Sequence, residues 1–311
     1  MSNAGHPVVD SVYSIGGVFV TLNSERYLVP EDSSAAENSV FVYPATAEYA
    51  AASAAVPCIY VYIAALQQRS SPAVGEKIFS QQRACLYRAE NGYIQQYYLD
   101  DKKQEILWKL AIDHEFSRFN YFLCADKVNR EESVRLDPWK LASTLFLLQH
   151  SFINHQGLII HAAGGSVSGK GLVFSAPSGT GKSTLSRLLL HSPDNRLFSE
   201  ERLIIRSVEN KWQVWGTPWH GEGNIARNES APLSALVFLR QAQKTEITRL
   251  SPADGLHRLV QTASIPWYSK QWTEKGLALC ERLIQDIPIF ELAFRPDRTA
   301  VQAVERLAAE L

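Results

Sequence analysis

The sequence predicts an α/β chain in two parts, a β-rich N-terminal domain over residues 1–130 and a domain of alternating strands and helices over 131–311. Three observations predict it. Short aromatic or β-branched runs follow one another at close spacing from Ser11 to about Asp126. The apolar run Gly171–Ser175 stops at a small-residue turn, Ala176–Gly181, that opens directly into a helical pattern. Beyond Arg196, strand-like runs are interleaved with helix-length segments of 3.6-residue periodicity.

At 311 residues and 46% hydrophobic composition, the chain has ample material for a buried core. Its 31 basic and 32 acidic residues leave a net charge of −1, so neither nucleic acid nor an anionic membrane is an expected partner. Cys58, Cys85, Cys124 and Cys280 form no Cys-x-x-Cys pair, which argues against a zinc site and a disulfide framework. Met1–Asp10 lacks a basic segment followed by an apolar one, so no secretory signal is expected and the expected location is cytoplasmic. The apolar window Pro57–Leu66 is about half the ~20 residues a spanning helix needs, and reads as a buried strand.

In chain order, Val12–Leu22 reads as a strand pair, followed by strands at Ile59–Ile63, Ala84–Arg88, Tyr93–Leu99, Ile106–Ile112 and Phe119–Cys124. Glu90-Asn91-Gly92 is a hairpin signal, and the whole reads as an antiparallel sheet. Pro30–Ala55, rich in Ser, Ala and Glu, reads as a loop or short helix. The charged stretch Asp126–Arg135 marks the domain boundary. Asp137 then caps a helix with Pro138 at its first position, running to Gly157.

Two strands follow, Leu158–Ser168 and Gly171–Ser175, with Gly169-Lys170 read as the turn between them. Pairing Ser168 with Gly171 sets His161 opposite Ser178, inside the small-residue turn. That turn, Ala176-Pro177-Ser178-Gly179-Thr180-Gly181-Lys182-Ser183-Thr184, carries what a phosphate loop needs. Its small residues let backbone N–H groups turn inward around phosphate oxygens, Lys182 supplies positive charge, and the Ser183 hydroxyl is a Mg²⁺ ligand. Ser178 to Thr184 are therefore the expected binding residues for a nucleoside triphosphate, ATP, with Mg²⁺. Leu185, Leu188 and Leu189 give the following helix its core face.

Arg196-Leu197-Phe198 starts the return strand, which delivers Ser199-Glu200-Glu201 to the same edge. Of two adjacent carboxylates there, one can accept a proton from an incoming hydroxyl and the other can hold Mg²⁺. Leu203–Ile205 and Trp212–Trp215 are short strands joined by the Glu209-Asn210-Lys211 turn. Gly216–Gly223 is too polar and Gly-rich for an element and reads as an active-site loop, with Trp219, His220 and Glu222 as candidate contacts and Arg227 just beyond. Ala235–Leu239 and Ile289–Phe294 read as strands, and Pro252–Thr262, Glu274–Asp286 and Thr299–Leu311 as helices.

Ile159-Ile160-His161-Ala162-Ala163, the hairpin, the phosphate-loop string and Arg196-Leu197-Phe198-Ser199-Glu200-Glu201, in that order, resemble the C-terminal catalytic domain of HPr kinase/phosphorylase. They are more similar still to HPr-kinase-like serine kinases of bacterial peptide-modification clusters, where Gly216-Thr217-Pro218-Trp219 also has a counterpart. The resemblance covers about residues 155–295. It implies a phosphoenolpyruvate carboxykinase-like P-loop kinase fold and transfer of the γ-phosphate of ATP to a serine of a protein or precursor peptide. It also implies a catalytic group of His161, Lys182 and Glu200, with Glu200 the base, His161 orienting it, and Ser183 and Glu201 holding Mg²⁺. The family has two Asp where this chain has Glu200-Glu201. A nucleotide-gated binding or scaffold protein with weak or no transfer, and a small-molecule kinase, are the alternative readings; association into a homo-oligomer is left open.

Overall fold

The computed structural model describes residues 9–24, 42–43, 58–66, 75–103, 105–124, 142–221 and 223–311. The chain is a sheet-rich mixed α/β protein that divides into two compact units, Met1–Leu147 and Leu148–Leu311. Among the described residues no helix is long and apolar enough to cross a membrane. The expected boundary at Asp126–Arg135, the cap at Asp137 and most of Pro30–Ala55 lie outside the described residues.

The first unit is built on one sheet. Strands β1 (Val9–Ile15) and β2 (Val18–Ser24) form a hairpin across Gly16-Gly17, and β3 (Val42–Tyr43) pairs with β1. After them come β4 (Cys58–Leu66), β5 (Glu76–Gln81), β6 (Ala84–Ala89), β7 (Gly92–Tyr98), β8 (Ile106–Ile112) and β9 (Arg118–Cys124). The sheet order is β3-β1-β2-β4-β9-β8-β7-β6-β5.

The sheet is mixed, not antiparallel as the sequence suggested: β4 runs parallel to both β2 and β9. Parallel neighbours need a crossover of a dozen residues or more, and the stretch between β2 and β4 is long enough to provide one. The β5–β8 meander is antiparallel, with the two-residue turn Glu90-Asn91 between Ala89 and its partner Gly92. Cross-strand aromatics pin its register. Tyr97 stacks on Trp108 with ring centroids 5.3 Å apart, and Trp108 on Tyr121 at 5.2 Å.

Helix α1 (Ala142–Asn154) carries the chain across the boundary at Leu147–Leu148, and the second unit continues with the hairpin of β10 (Gly157–Val167) and β11 (Lys170–Ser175). Helix α2 (Lys182–Leu189) leads to β12 (Asn195–Ser199), β13 (Arg202–Val208), β14 (Lys211–Trp215), β15 (Ser230–Gln241) and β16 (Glu246–Arg249). Helices α3 (Pro252–Thr262) and α4 (Lys270–Asp286), strand β17 (Ile289–Phe294) and helix α5 (Arg298–Glu310) complete it. Helix α3 has the expected start: Pro252 in its first turn, with the Ser251 side chain accepting from Asp254 N–H.

Two long strands each serve two ladders. Strand β10 pairs through Gly157–His161 with β13, and through its later residues with β11 on one side and β12 on the other. Strand β15 pairs first with β14 and then with β11 and β17. The path β10-β13-β14-β15-β11 therefore closes on itself, with β17 and then β16 extending beyond β15.

The hairpin turn is Ser168-Gly169, at φ 48° and 81°, rather than Gly169-Lys170. Left-handed conformation at both central residues matches the twist of the flanking strands, and Ser168 accepts it. Val167 then pairs with Lys170 and Ala162 with Ser175, so His161 faces the strand end at Ala176, two residues short of the expected Ser178. The displacement is even, so the side chains keep the expected faces.

Strands β11, β15 and β17 are mutually parallel, and β12 runs in the same sense because both it and β11 are antiparallel to β10. Four C-terminal strand ends thus open toward one side, the place where open α/β sheets bind ligands. The core beneath them unites Phe174, Leu185, Val237, Leu292, Val304 and Leu307, packing α2 and α5 on this sheet.

Candidate active site

Strand β11 delivers the turn Ala176–Gly181 to the start of α2. Gly179 has φ 78° and Gly181 φ 108°, both in the left-handed region. A Cβ at Gly179 would meet nothing within 4 Å, so the loop's backbone there faces open space; at Gly181 it would stand 3.0 Å from the Phe294 ring. Gly181→Ala is therefore expected to destabilise the fold by about 1–3 kcal/mol through backbone strain and that contact. Denaturant unfolding of the variant measures it.

Lys182 is buried, and its Nζ donates to the Ala176 carbonyl at 2.8 Å and to Pro177 at 3.4 Å, folding the side chain over its own loop. Burial pushes this ammonium below its ordinary pKa, and Glu201 opposes the shift. Gln241, the last residue of the parallel neighbour strand β15, donates through Nε2 to the Gly179 carbonyl at 3.2 Å and props the loop from outside.

The acidic pair sits where β12 gives way to β13. Ser199 organises this break: its hydroxyl accepts from the Glu201 and Arg202 amides, both at 3.2 Å, and donates to the Trp219 carbonyl at 3.1 Å. The Thr217 hydroxyl donates to the Arg202 carbonyl at 2.7 Å. The two carboxylates consequently meet different partners. Glu200 is 3% exposed and accepts from the Gly223 N–H. Glu201 is part-exposed, and its Oε2 lies 3.8 Å from His161 Nε2.

Sequence reasoning had His161 orienting Glu200, and the structure reverses the pairing. At 3.8 Å the His161 Nε2–Glu201 Oε2 contact is longer than an ordinary hydrogen bond. His161 is the largest influence holding the Glu201 carboxyl below its ordinary pKa; burial opposes it, and Arg202 and Lys182 reinforce it. His161 is itself fixed by its strand, whose carbonyl at this position accepts from the Ser175 hydroxyl at 3.1 Å.

One cleft of about 420 Å³ is lined by His161, Ser178, Gly179, Gly181, Lys182, Ser183, Thr184, Glu200, Glu201 and Gly221. A second cavity of about 520 Å³ shares Gly181 and Thr184 with it and is closed by Gln241, Gln243, Phe294, Arg295 and Pro296, among others. Among the expected site residues Thr180 lines only this second cavity, where its hydroxyl donates to the Pro177 carbonyl at 2.9 Å. A glycine turn, the Lys182 amine and the Ser178, Ser183 and Thr184 hydroxyls on one wall, facing the Glu201 carboxylate on the other, make an arrangement that can hold an anion and accept a proton beside it.

A protein-family model, SynChlorMet cassette protein ScmC, matches residues 123–293, more than half of the chain. The chain belongs to the ScmC family. The match takes in every residue named in the cleft and ends just before Phe294. No curated protein matches the chain. Among solved structures, the HPr(Ser) kinase/phosphatase from Coxiella burnetii aligns at 8% identity, covering 49% of this chain and 88% of that one, with a TM-score of 0.30.

Sequence reasoning missed three contributors to the site. Gly223 holds Glu200, and the glycine-rich composition of 216–223 was a usable signal for it. Gln241 and Arg202 gave none: Gln241 arrives through the β11–β15 pairing, and Arg202 through its register opposite His161. Trp219 joins the site by its backbone, through Ser199. Glu222 lies outside the described residues, and Arg227 is held by its backbone, its N–H donating to the Phe198 carbonyl at 2.8 Å.

Proposed function

We propose that this chain is an ATP-dependent phosphotransferase that passes the γ-phosphate to a serine hydroxyl of a protein or precursor peptide. The observation that carries this reading is the shared cleft, with the Ser178–Thr184 loop on one wall and the His161–Glu201 pair on the other. Two cavities meeting at Gly181 and Thr184 give the nucleotide a direction: nucleoside toward Gln241 and Arg295, terminal phosphate toward His161. Membership of a cassette family is in keeping with an acceptor encoded close by.

In this reading Lys182 leaves its loop carbonyls for the phosphate oxygens, and the amides of 178–184 turn toward the same charge. Glu201 takes the proton of the incoming hydroxyl, His161 and Lys182 keeping it ionised until then. The acceptor oxygen forms its bond to phosphorus as the bond from phosphorus to the β-phosphate oxygen breaks, and ADP departs. The Ser183 hydroxyl is the protein ligand that fits Mg²⁺, which would supply charge neutralisation on the phosphates. Among the described residues no group of three His, Cys, Asp or Glu can hold a metal. Most ligands of such an ion would therefore come from phosphate and water, the usual habit of Mg²⁺.

A second reading, a nucleotide-gated binding protein, draws on the capture of Glu200 by Gly223, which leaves a single carboxylate for the chemistry. Incubation with γ-labelled ATP, Mg²⁺ and the products of neighbouring genes separates the two. Label on one peptide serine is the expected result; nucleotide binding without transfer or hydrolysis establishes the second reading instead.

A further inference from the structure

We propose that Glu200 is a positioning residue: its oxygen fastens the glycine loop after β14 against the site, and its length rather than its charge is what the chain uses. The loop wraps the end of β12 at several points. Arg227 N–H donates to the Phe198 carbonyl, Ser199 bridges to Ala226, and the Ser199 hydroxyl donates to the Trp219 carbonyl. Glu200 extends from the end of β12 into the loop. Besides the Gly223 N–H bond, a Cβ at Gly221 would stand 3.3 Å from its Oε1 and one at Gly223 2.7 Å from its Oε2. The loop backbone thus packs closely on this carboxylate, and a Cβ at Gly223 could enter only if the Glu200 carboxylate moved.

Charge is distributed differently on its neighbour. Among the described residues no Lys, Arg or His makes an ion pair with Glu200, whereas His161, Lys182 and Arg202 all act on Glu201. Length matters because an Asp carboxylate at 200 would stop about 1.5 Å short, one C–C bond, and leave the Gly223 amide without its acceptor. Gly221 also lines the phosphate cleft, so a loosened loop removes one of its walls.

The kinetic part of the test rests on the phosphotransfer reading, and the exchange part does not. Glu200→Gln, Glu200→Asp and Gly223→Ala are compared in the full chain by hydrogen exchange over 216–227, ATP binding by calorimetry, and transfer from γ-labelled ATP. Glu200→Gln retains length and an accepting oxygen, so loop exchange and transfer are expected within about threefold of the native chain. Glu200→Asp is expected to speed loop exchange and cut kcat/KM by about 10- to 100-fold, the scale of one lost bond to a carboxylate. Gly223→Ala should do the same from the loop side. Loss of transfer in Glu200→Gln with loop exchange unchanged, or native loop exchange in Glu200→Asp, overturns the proposal. If the native chain transfers no phosphate, the phosphotransfer reading fails by itself, and the exchange pattern still decides the role of Glu200.

Discussion

Glu201→Gln is expected to leave ATP affinity nearly unchanged and to cut phosphoryl transfer by about 10²- to 10⁴-fold, the range for removing a general base. The substitution is isosteric and replaces a part-exposed carboxylate, so the fold has little to lose. What disappears is the carboxylate proposed as proton acceptor, which lies 3.8 Å from His161 Nε2. Calorimetry with ATP and a transfer assay read the two effects separately; equal losses in both would assign Glu201 to nucleotide binding instead.

The same carboxylate sets a pH signature. Its folded pKa is lowered, so its contribution to stability is present above the unfolded value and lost as pH falls through the folded one. The acid limb of the pH–rate profile should accordingly lie below the ordinary carboxylate range. His161→Gln removes the largest influence on that shift, and the limb should move to higher pH. An unmoved limb would show that another group titrates in the reaction.

Lys182→Ala carries the second large effect. Removing a charged donor to phosphate is expected to weaken ATP binding by about 10- to 100-fold. Transfer should fall by a further 10²-fold or so as stabilisation of the transferring group is lost. Among the described residues the amine bonds to the Ala176 and Pro177 carbonyls of its own loop, so the variant should fold with an unfolding midpoint close to native. A thermal scan without nucleotide, and a second with ATP, separates the two. The native chain gains stability from the ligand by mass action, and the variant should gain much less.

Local pattern made much of this molecule legible. Ala176–Thr184 announced strand, turn and helix through its small residues, and Pro252 and Gly92 marked element starts for reasons of backbone geometry. The hairpin was legible but its turn was not, because Ser168 occupies a left-handed position that sequence assigns first to glycine. The split between Glu200 and Glu201 was hidden altogether. Two identical side chains in succession acquire different surroundings only because Ser199 gathers three backbone groups and bends the strand between them. Gln241 reaches Gly179 across a parallel pairing of strands far apart in sequence, which no local pattern records.

The closed path β10-β13-β14-β15-β11 has a consequence for how this chain behaves in crowded solution. Strands that carry the site are paired on both sides along much of their length, so they have little free backbone to lend to a neighbouring molecule. Strand β12 is shielded by the backbone of Ala226 and Arg227. The open margin of this sheet is β16, short and bearing exposed Glu246 and Arg249, a poor template for strand addition. The open margin thus lies at the opposite end of the strand order from His161, and the strands bearing the cleft offer little free backbone for a fibril to grow on.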